Sequence, residues 1–160
     1  MRVYFLRHGE ADWPNWTNPD SERPLTDKGA KEMRLVAEAI ADLKITVGTV
    51  LTSPLRRAAQ TAEITARALR LPATVEGVLA PGFDAPHLAA LIAKYEGQDL
   101  LLVGHEPDFS NTIRAVTGGD VKMARAGLAC VEIIDTQRMR GDLIWLIPPK
   151  VFKAGEGRKA

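Results

Sequence analysis

The sequence predicts an α/β fold in which helices flank a mostly parallel sheet of about six strands. Short apolar runs recur along the chain, and segments with helical periodicity follow them. Residues 3–6 and 100–103 are apolar at every position, which is typical of strands buried on both faces of a parallel sheet. Strands that alternate with helices favour a three-layer sandwich with the sheet in the middle.

Size, charge and composition limit the classes of function. We expect one domain over residues 1–150 and a flexible polar tail over 151–160. The 21 basic and 20 acidic residues leave a net charge of +1, which argues against nucleic acid or an anionic membrane as a partner. No apolar run is long enough to span a bilayer, and we expect a cytoplasmic protein. The single cysteine, Cys130, excludes an intrachain disulfide, and its neighbours predict a core strand.

The first strand ends in residues that can do chemistry. Residues 3–6 lead directly to Arg7 and His8, and then to Gly9, where the backbone can turn tightly. In open α/β sheets, ligands bind in the crevice beyond the carboxyl ends of the strands. This position therefore indicates a binding site, and a surface turn that merely holds Arg and His is the alternative.

A long irregular loop follows over residues 11–25. Loops of this length inside compact domains are often functional. Trp13 and Trp16 either wall a site or form a lid that only packs. Thr26 is then the predicted N-cap of an amphipathic helix over residues 27–43.

The second strand, over residues 48–52, leads into a helix with an unusual first turn. We interpret Ser53 as its N-cap and Pro54 as its first residue, with the helix running to residue 69. Arg56 and Arg57 lie in the first turn, where cations oppose the helix dipole. An anion bound at this helix N-terminus would account for both arginines, and two solvated side chains are the alternative.

The remaining elements complete the alternation. We predict a strand over 73–79, a helix that begins at Asp84 or Pro86, a strand over 100–103, a helix with Phe109, Ile113 and Val116, and strands over 128–134 and 143–147 joined by a polar loop that contains Arg138, Arg140 and Gly141. The strand over 100–103 is followed by Gly104, His105 and a helix. As at the start of the chain, a buried strand thus leads to a glycine and a histidine.

Two arginines and two histidines follow three of these strands: Arg7, His8, Arg57 and His105. If the three strands are parallel neighbours, these side chains converge on one crevice. Planar guanidinium groups bind phosphate oxygens in pairs, so the set indicates a phosphate site. A zinc site on the two histidines is the alternative. The nearby acids Glu10, Glu106 and Asp108 favour that alternative, but the arginines would repel a divalent cation.

Four motifs occur in order between residue 2 and about residue 110. They are Arg7-His8-Gly9-Glu10, Pro-Leu-Thr-x-x-Gly over residues 24–29, Ser-Pro-Leu-Arg-Arg-Ala-x-Gln-Thr over 53–61, and Val-Gly-His-Glu over 103–106. In these motifs the chain resembles the histidine phosphatase (phosphoglycerate mutase-like) superfamily. Its short length and its Gly-His-Glu-Pro segment resemble the compact SixA branch, whose members remove phosphate from phosphohistidine on proteins.

The resemblance implies a role for each member of the set. His8 would be the nucleophile that forms a phosphohistidine intermediate. Arg7 and Arg57 would hold the phosphoryl oxygens, and His105 would donate to them in the transition state. No cofactor and no metal ligand is expected. Independently of the resemblance, like-charge repulsion from the two arginines is expected to lower the pKa of His8.

The chain departs from the family pattern at two places. Larger members carry an inserted segment that helps to supply an acidic proton donor, and only residues 76–84 stand in that region. Glu76 and Asp84 are the candidate donors, with a surface charge or a helix cap as the alternative roles. Asn15 or Thr17 is the candidate for a phosphate-contacting asparagine that many relatives carry in the loop.

The favoured function is a cofactor-independent phosphatase that acts on phosphohistidine in a signalling or carrier protein. A weak or missing proton donor would suit this substrate, because imidazole, whose conjugate acid has a pKa of ~6.5, leaves more easily than an alkoxide. One alternative is a small-molecule phosphomonoesterase or mutase that acts on sugar or glycerate phosphates. Another is a non-enzymatic module that binds phosphate or a phosphoprotein.

Overall fold

The computed structural model describes residues 1–156, and these residues alternate between strands and helices. The strands are β1 (Arg2–Arg7), β2 (Thr49–Thr52), β3 (Ala73–Val75), β4 (Leu100–Gly104), β5 (Leu128–Asp135) and β6 (Arg140–Ile147). The helices are α1 (Asp27–Asp42), α2 (Arg56–Leu69), α3 (Ala85–Lys94), α4 (Asp108–Thr117) and α5 (Pro149–Glu156), with short 3-10 helices at Asp20–Glu22 and Gly77–Leu79.

The strands form one mixed sheet in the order β3-β2-β4-β1-β5-β6. β3, β2, β4 and β1 are parallel, and β5 and β6 extend the sheet as an antiparallel hairpin. Arg7 lies opposite Gly104, and Thr52 lies opposite Val103. The carboxyl ends of β1, β4 and β2 therefore meet at one edge of the sheet. The predicted α/β class with a mostly parallel sheet is confirmed.

Side chains of the central strands alternate between two cores, one on each face of the sheet. Phe5 and Leu102 pack in the core under α3 and α4, whereas Tyr4 and Leu101 pack in the core under α1 and α2. Burial on both faces explains why β1 and β4 are apolar at successive positions. Cys130 is buried in β5, as predicted.

Two predicted helix starts are confirmed by their caps. Thr26 Oγ1 accepts a hydrogen bond from the Gly29 N–H at 2.9 Å, at the start of α1. Asp84 Oδ1 accepts one from the His87 N–H at 3.0 Å, at the start of α3. Within the described part of the chain, no helix combines the length and apolar content that a bilayer crossing requires.

The start of α2 differs from the prediction. The helix begins at Arg56, two residues later than expected, and Leu55 is its N-cap without a side-chain hydrogen bond. Ser53 Oγ instead accepts from the Leu55 N–H at 3.2 Å, in a turn that precedes the helix. The interpretation of Ser53 as the helix N-cap was therefore wrong, and its hydroxyl is available at the end of β2.

Three other boundaries also differ. The strand predicted over residues 73–79 ends at Val75 and continues as a 3-10 helix. Arg140 and Gly141 lie in β6, not in the loop before it. The expected tail over 151–160 is helical up to Glu156, because Phe152 packs on the core under α1 and α2 and Lys153 pairs with Glu32 at 2.7 Å. Residues 157–160 lie outside the described residues.

Candidate active site

The ends of β1, β4 and β2 bring two histidines and a serine together. The backbone N–H of His8 donates to the Gly104 carbonyl at 3.1 Å, and the backbone N–H of Ser53 donates to the Val103 carbonyl at 3.0 Å. The sheet pairing thus continues one residue beyond the strands, which aligns the three loops. The His8 and His105 rings lie 5.3 Å apart between centroids, and His105 Nε2 lies 2.7 Å from Ser53 Oγ.

His8 is held in one tautomer by its own loop. Its Nδ1 lies 2.7 Å from the Gly9 carbonyl oxygen. Because a carbonyl oxygen can only accept, Nδ1 carries the proton. In the neutral ring this leaves the lone pair on Nε2, so Nε2 is the ring nitrogen that is free to attack an electrophile.

Burial keeps the His8 imidazole neutral. It lowers the pKa of His8 from 6.5 to about 3, against an opposing contribution from the Gly9 hydrogen bond and with smaller lowering contributions from the neighbouring His105, Arg57 and Arg7. The direction of the pKa shift agrees with the expectation from the sequence. The main cause of the shift differs from that expectation, because removal of the ring from water lowers the pKa more than the repulsion by the arginines does.

His105 is neutral for similar reasons. It is only 5% exposed, and burial together with the Arg57 charge lowers its pKa from 6.5 to about 4, against the opposing charges of Asp108 and Asp20. Ser53 Oγ accepts from the Leu55 N–H, so its own hydroxyl proton is available to His105 Nε2.

Arg7 and Arg57 each leave a donor without a partner. Arg7 Nη1 donates to the Met123 carbonyl at 2.9 Å. Arg57 Nη1 and Nη2 donate to the Asp20 carbonyl and to Asp20 Oδ2 at 2.9 and 3.0 Å. Both Nε atoms are buried and have no hydrogen-bond partner among the described residues. Since buried donors normally have partners, these two guanidinium groups suit an oxyanion ligand.

The two neighbouring arginines of α2 differ in burial. Arg57 is 6% exposed and contacts the site loop, whereas Arg56 is exposed. The structure thus brings Arg7, His8, Arg57 and His105 to one crevice.

The loop candidates Asn15 and Thr17 do not join this cluster. Both are exposed, and neither makes a side-chain hydrogen bond within residues 1–156. Their neighbours Trp13 and Trp16 donate through Nε1 to the Pro24 and Pro19 carbonyls at 2.8 and 3.1 Å, so the loop closes on itself. The loop residue that does reach the cluster is Asp20.

The two carboxylates considered as proton donors are engaged elsewhere. Glu76 Oε1 accepts from Lys94 Nζ at 2.8 Å and from the Tyr95 hydroxyl at 2.5 Å, and these hydrogen bonds lower the pKa of Glu76. An ionised carboxylate has no proton to donate. Asp84 caps α3 and is exposed, with its Oδ1 2.9 Å from His87 Nδ1. The geometry does not support either residue as the donor.

Three residues were not predicted in the positions that the structure gives them, and Asp108 was considered only among the acids near a possible zinc site. Ser53 begins the motif over residues 53–61, but a serine before a proline is also typical of a helix N-cap, and this was the role predicted for it. Asp20 lies in the irregular loop, where no pattern links it to Arg57. Asp108 begins α4 close to His105, and its Oδ2 accepts from the Gly82 N–H at 2.8 Å. Its acidic type next to the His105 motif was the available signal.

Comparison with known proteins identifies similar sequences. The sequence profile of the histidine phosphatase superfamily (branch 1) matches residues 3–80. An uncharacterised protein of Picosynechococcus sp. is 38% identical over 138 residues, which cover 80% of this chain and 82% of that protein. The phosphohistidine phosphatase SixA of Escherichia coli is 28% identical over 154 residues, which cover 93% of this chain and 94% of that protein.

A solved structure is similar over almost the whole chain. The protein histidine phosphatase SixA complexed with tungstate superposes with a TM-score of 0.83 at 30% sequence identity. The match covers 94% of this chain and 99% of that one.

Proposed function

The chain belongs to the histidine phosphatase superfamily, and on this basis we propose that it is a phosphohistidine phosphatase with His8 as its nucleophile. One observation carries the proposal. A buried, neutral His8 with its proton fixed on Nδ1 lies in the same crevice as two guanidinium groups that each leave a buried Nε–H without a partner among the described residues. A nucleophile and a receptor for the phosphoryl oxygens are thereby combined.

The reaction has two steps. His8 Nε2 attacks the phosphorus of the substrate, a P–N bond forms to His8, and the P–N bond to the substrate imidazole breaks. The released imidazole nitrogen takes its proton from solvent. Water then attacks phospho-His8, the P–Nε2 bond breaks, and inorganic phosphate leaves while Nδ1 keeps its proton.

Arg7, Arg57 and His105 stabilise the phosphoryl oxygens in both steps. The charge on these oxygens is spread in the transition state, so fixed donors and cations contribute most of the catalysis. His105 is the neutral hydrogen-bond donor among them, and the Ser53 hydroxyl, 2.7 Å from its Nε2, holds the ring in place. A neutral His105 donates a hydrogen bond without losing a proton to the substrate.

Two features support a phosphohistidine on a protein as the substrate. An imidazole leaving group needs no strong proton donor, and both Glu76 and Asp84 are engaged elsewhere. The rim of the site is also open, since a surface pocket of about 530 Å³ is lined by Trp13, Trp16 and Asp20, among others. Asp20 binds Arg57, so this pocket adjoins the phosphate site and offers room for the polypeptide around a phosphohistidine.

Asp108 favours a second candidate function, hydrolysis of small phosphate esters. Its charge acts on His105, and its Oδ2 is fixed by the Gly82 N–H at 2.8 Å. A carboxyl group at this place can pass a proton from solvent to a leaving alkoxide. If esters are the substrates, Asp108→Asn lowers ester turnover and leaves the hydrolysis of phosphohistidine unchanged.

The testing experiment measures phosphate release from a histidine-phosphorylated carrier protein and, in parallel, from a small alkyl phosphate. We expect rapid release from the phosphoprotein, and a loss of at least ~1000-fold in His8→Ala because the nucleophile is gone. His87→Ala is the matched control, since His87 lies on α3 and contacts Asp84 and Phe83 instead of the cluster. Near-normal turnover by His8→Ala would refute the proposal, and activity on the alkyl phosphate alone would favour the second candidate.

A further inference from the structure

We propose that Asp20 is a positioning residue that orients the Arg57 guanidinium for the phosphoryl group. The inference rests on the proposed function, because it concerns how the same site binds phosphate. Asp20 lies in the 3-10 helix Asp20–Glu22 and belongs to none of the four motifs that the sequence analysis singled out.

Asp20 holds one end of the Arg57 side chain. Its carbonyl oxygen accepts from Nη1 at 2.9 Å, and its Oδ2 accepts from Nη2 at 3.0 Å. A guanidinium has five N–H donors. These two bonds leave the Nε–H and one proton on each Nη for a ligand. The contact therefore fixes the plane of the guanidinium and still leaves donors for an oxyanion.

A second arginine fixes Asp20 from the other side. Arg23 Nε and Nη2 donate to Asp20 Oδ1 at 3.2 and 2.9 Å, and Arg23 Nη1 donates to the Ala11 carbonyl. The two carboxylate oxygens thus serve different arginines. Hydrogen bonds from Arg23, together with the Arg57 charge and hydrogen bond, lower the pKa of Asp20, so it remains ionised at neutral pH. The loop over residues 11–25 is thereby tied to the start of α2.

The sign of one measurement separates positioning from simple competition. Asp20 carries a negative charge close to a site for phosphate, so a carboxylate that merely occupied the site would weaken phosphate binding. Its neutralisation would then strengthen that binding. If Asp20 positions Arg57, neutralisation weakens the binding, because the guanidinium loses its fixed orientation and the ordering has to occur when the ligand binds.

The experiment is calorimetric titration of inorganic phosphate at pH 7 into the wild type, Asp20→Asn, Asp20→Glu and Glu22→Gln. Asp20→Asn is expected to bind phosphate about tenfold more weakly, since it loses a hydrogen bond between two charged groups. Asp20→Glu keeps the charge and both oxygens, so most of the affinity returns. Glu22→Gln removes the same charge from the same 3-10 helix, and Glu22 has no side-chain hydrogen bond or ion pair within residues 1–156, so its affinity stays at the wild-type value.

Phosphate release from a histidine-phosphorylated protein, measured on the same variants, separates the two levels of the proposal. We expect the Asp20→Asn effect mainly in KM, at a melting temperature near that of the wild type. Equal or tighter phosphate binding by Asp20→Asn would overturn the positioning role and leave the proposed function intact. If Asp20→Asn does not fold, Asp20→Ser takes its place in the titration, and phosphate binding by Asp20→Ser as tight as that of the wild type would overturn the positioning role. A wild type that neither binds phosphate nor hydrolyses the phosphoprotein would overturn the proposed function and this inference together.

Discussion

At the scale of single residues, the nucleophilic role proposed for His8 depends on an imidazole that stays neutral well below pH 7. Removal from water is the main cause, and the hydrogen bond to Gly9 fixes the proton on Nδ1. The cost of this arrangement appears in the stability of the fold, because a histidine that is protonated only in the unfolded chain destabilises the native state as the pH falls.

We predict that stability falls between pH 7 and pH 5, in part because of His8. The pKa of His8 is about 3 in the folded chain, against 6.5 for an ordinary histidine, so between these values the unfolded state binds more protons. The stabilisation is present above pH 6.5 and is lost as the pH falls towards 3. From pH 7 to pH 5, this linkage contributes about 2 kcal/mol to the loss in unfolding free energy.

Urea unfolding of the wild type and of His8→Asn at the two pH values measures this contribution. The loss from pH 7 to pH 5 should be about 2 kcal/mol smaller in His8→Asn. The remaining pH dependence is expected from His105, whose pKa is lowered to about 4. Identical pH dependence in the two proteins would show that His8 titrates normally, against the neutral nucleophile proposed above.

At the scale of elements, a glycine next to each histidine of the site lets the backbone pack closely against a helix. A Cβ added at Gly104 would lie 2.6 Å from Cζ of Phe109 in α4. A Cβ added at Gly9 would lie 2.8 Å from Cγ of Met33 in α1. Neither glycine has a positive φ, so close packing explains both, whereas the sequence suggested a tight turn at Gly9.

We predict that Gly104→Ala destabilises the protein by about 1–3 kcal/mol, the usual cost of overpacking a core. The Phe109 ring lies between Phe5 and Phe83, so it has little room to move away. Urea unfolding at pH 7 measures the change. Gly77→Ala is the matched control, because a Cβ at Gly77 meets nothing within 4 Å. Equal stability of the two variants would contradict the packing argument.

The loop over residues 11–25 shows what an irregular segment contributes. Its tryptophans donate to carbonyls of the same loop, and its Asp20 reaches α2. The sequence indicated a functional loop and proposed Asn15 and Thr17 for it. That prediction was directed at the wrong residue type, since an amide or a hydroxyl was expected and the side chain that contacts Arg57 is the carboxylate of Asp20.

At the scale of the whole molecule, the site exists because β2, β4 and β1 are parallel neighbours. This much could be predicted from the sequence, since apolar runs identify buried strands and the polar residues that follow them share one edge of the sheet. Arg7, His8 and His105 were found in this way, whereas the choice of Arg57 over Arg56 rested on the resemblance to the family. Contacts between distant loops could not be predicted, because Ser53 meets His105 and Asp20 meets Arg57 only through the order of the strands.

The C-terminal segment was missed for a related reason. Residues 149–156 contain few apolar side chains, and their helix is held by Phe152 on the core and by Lys153 at Glu32. Both contacts depend on where α1 lies in space. Local composition therefore favoured a tail, and tertiary packing decided for a helix.

The most direct test of the central claim is chemical trapping of the phosphoenzyme. The protein is mixed with a histidine-phosphorylated carrier protein, quenched in base within the first turnover, and digested, and the phosphorylated residue is located by mass spectrometry. We expect phosphate on His8, in the wild type and in His87→Ala alike. Phosphorus NMR should assign the phosphate to Nε2. Phosphate on His105, or rapid turnover without phosphate on any histidine of this protein, would contradict the role proposed for His8.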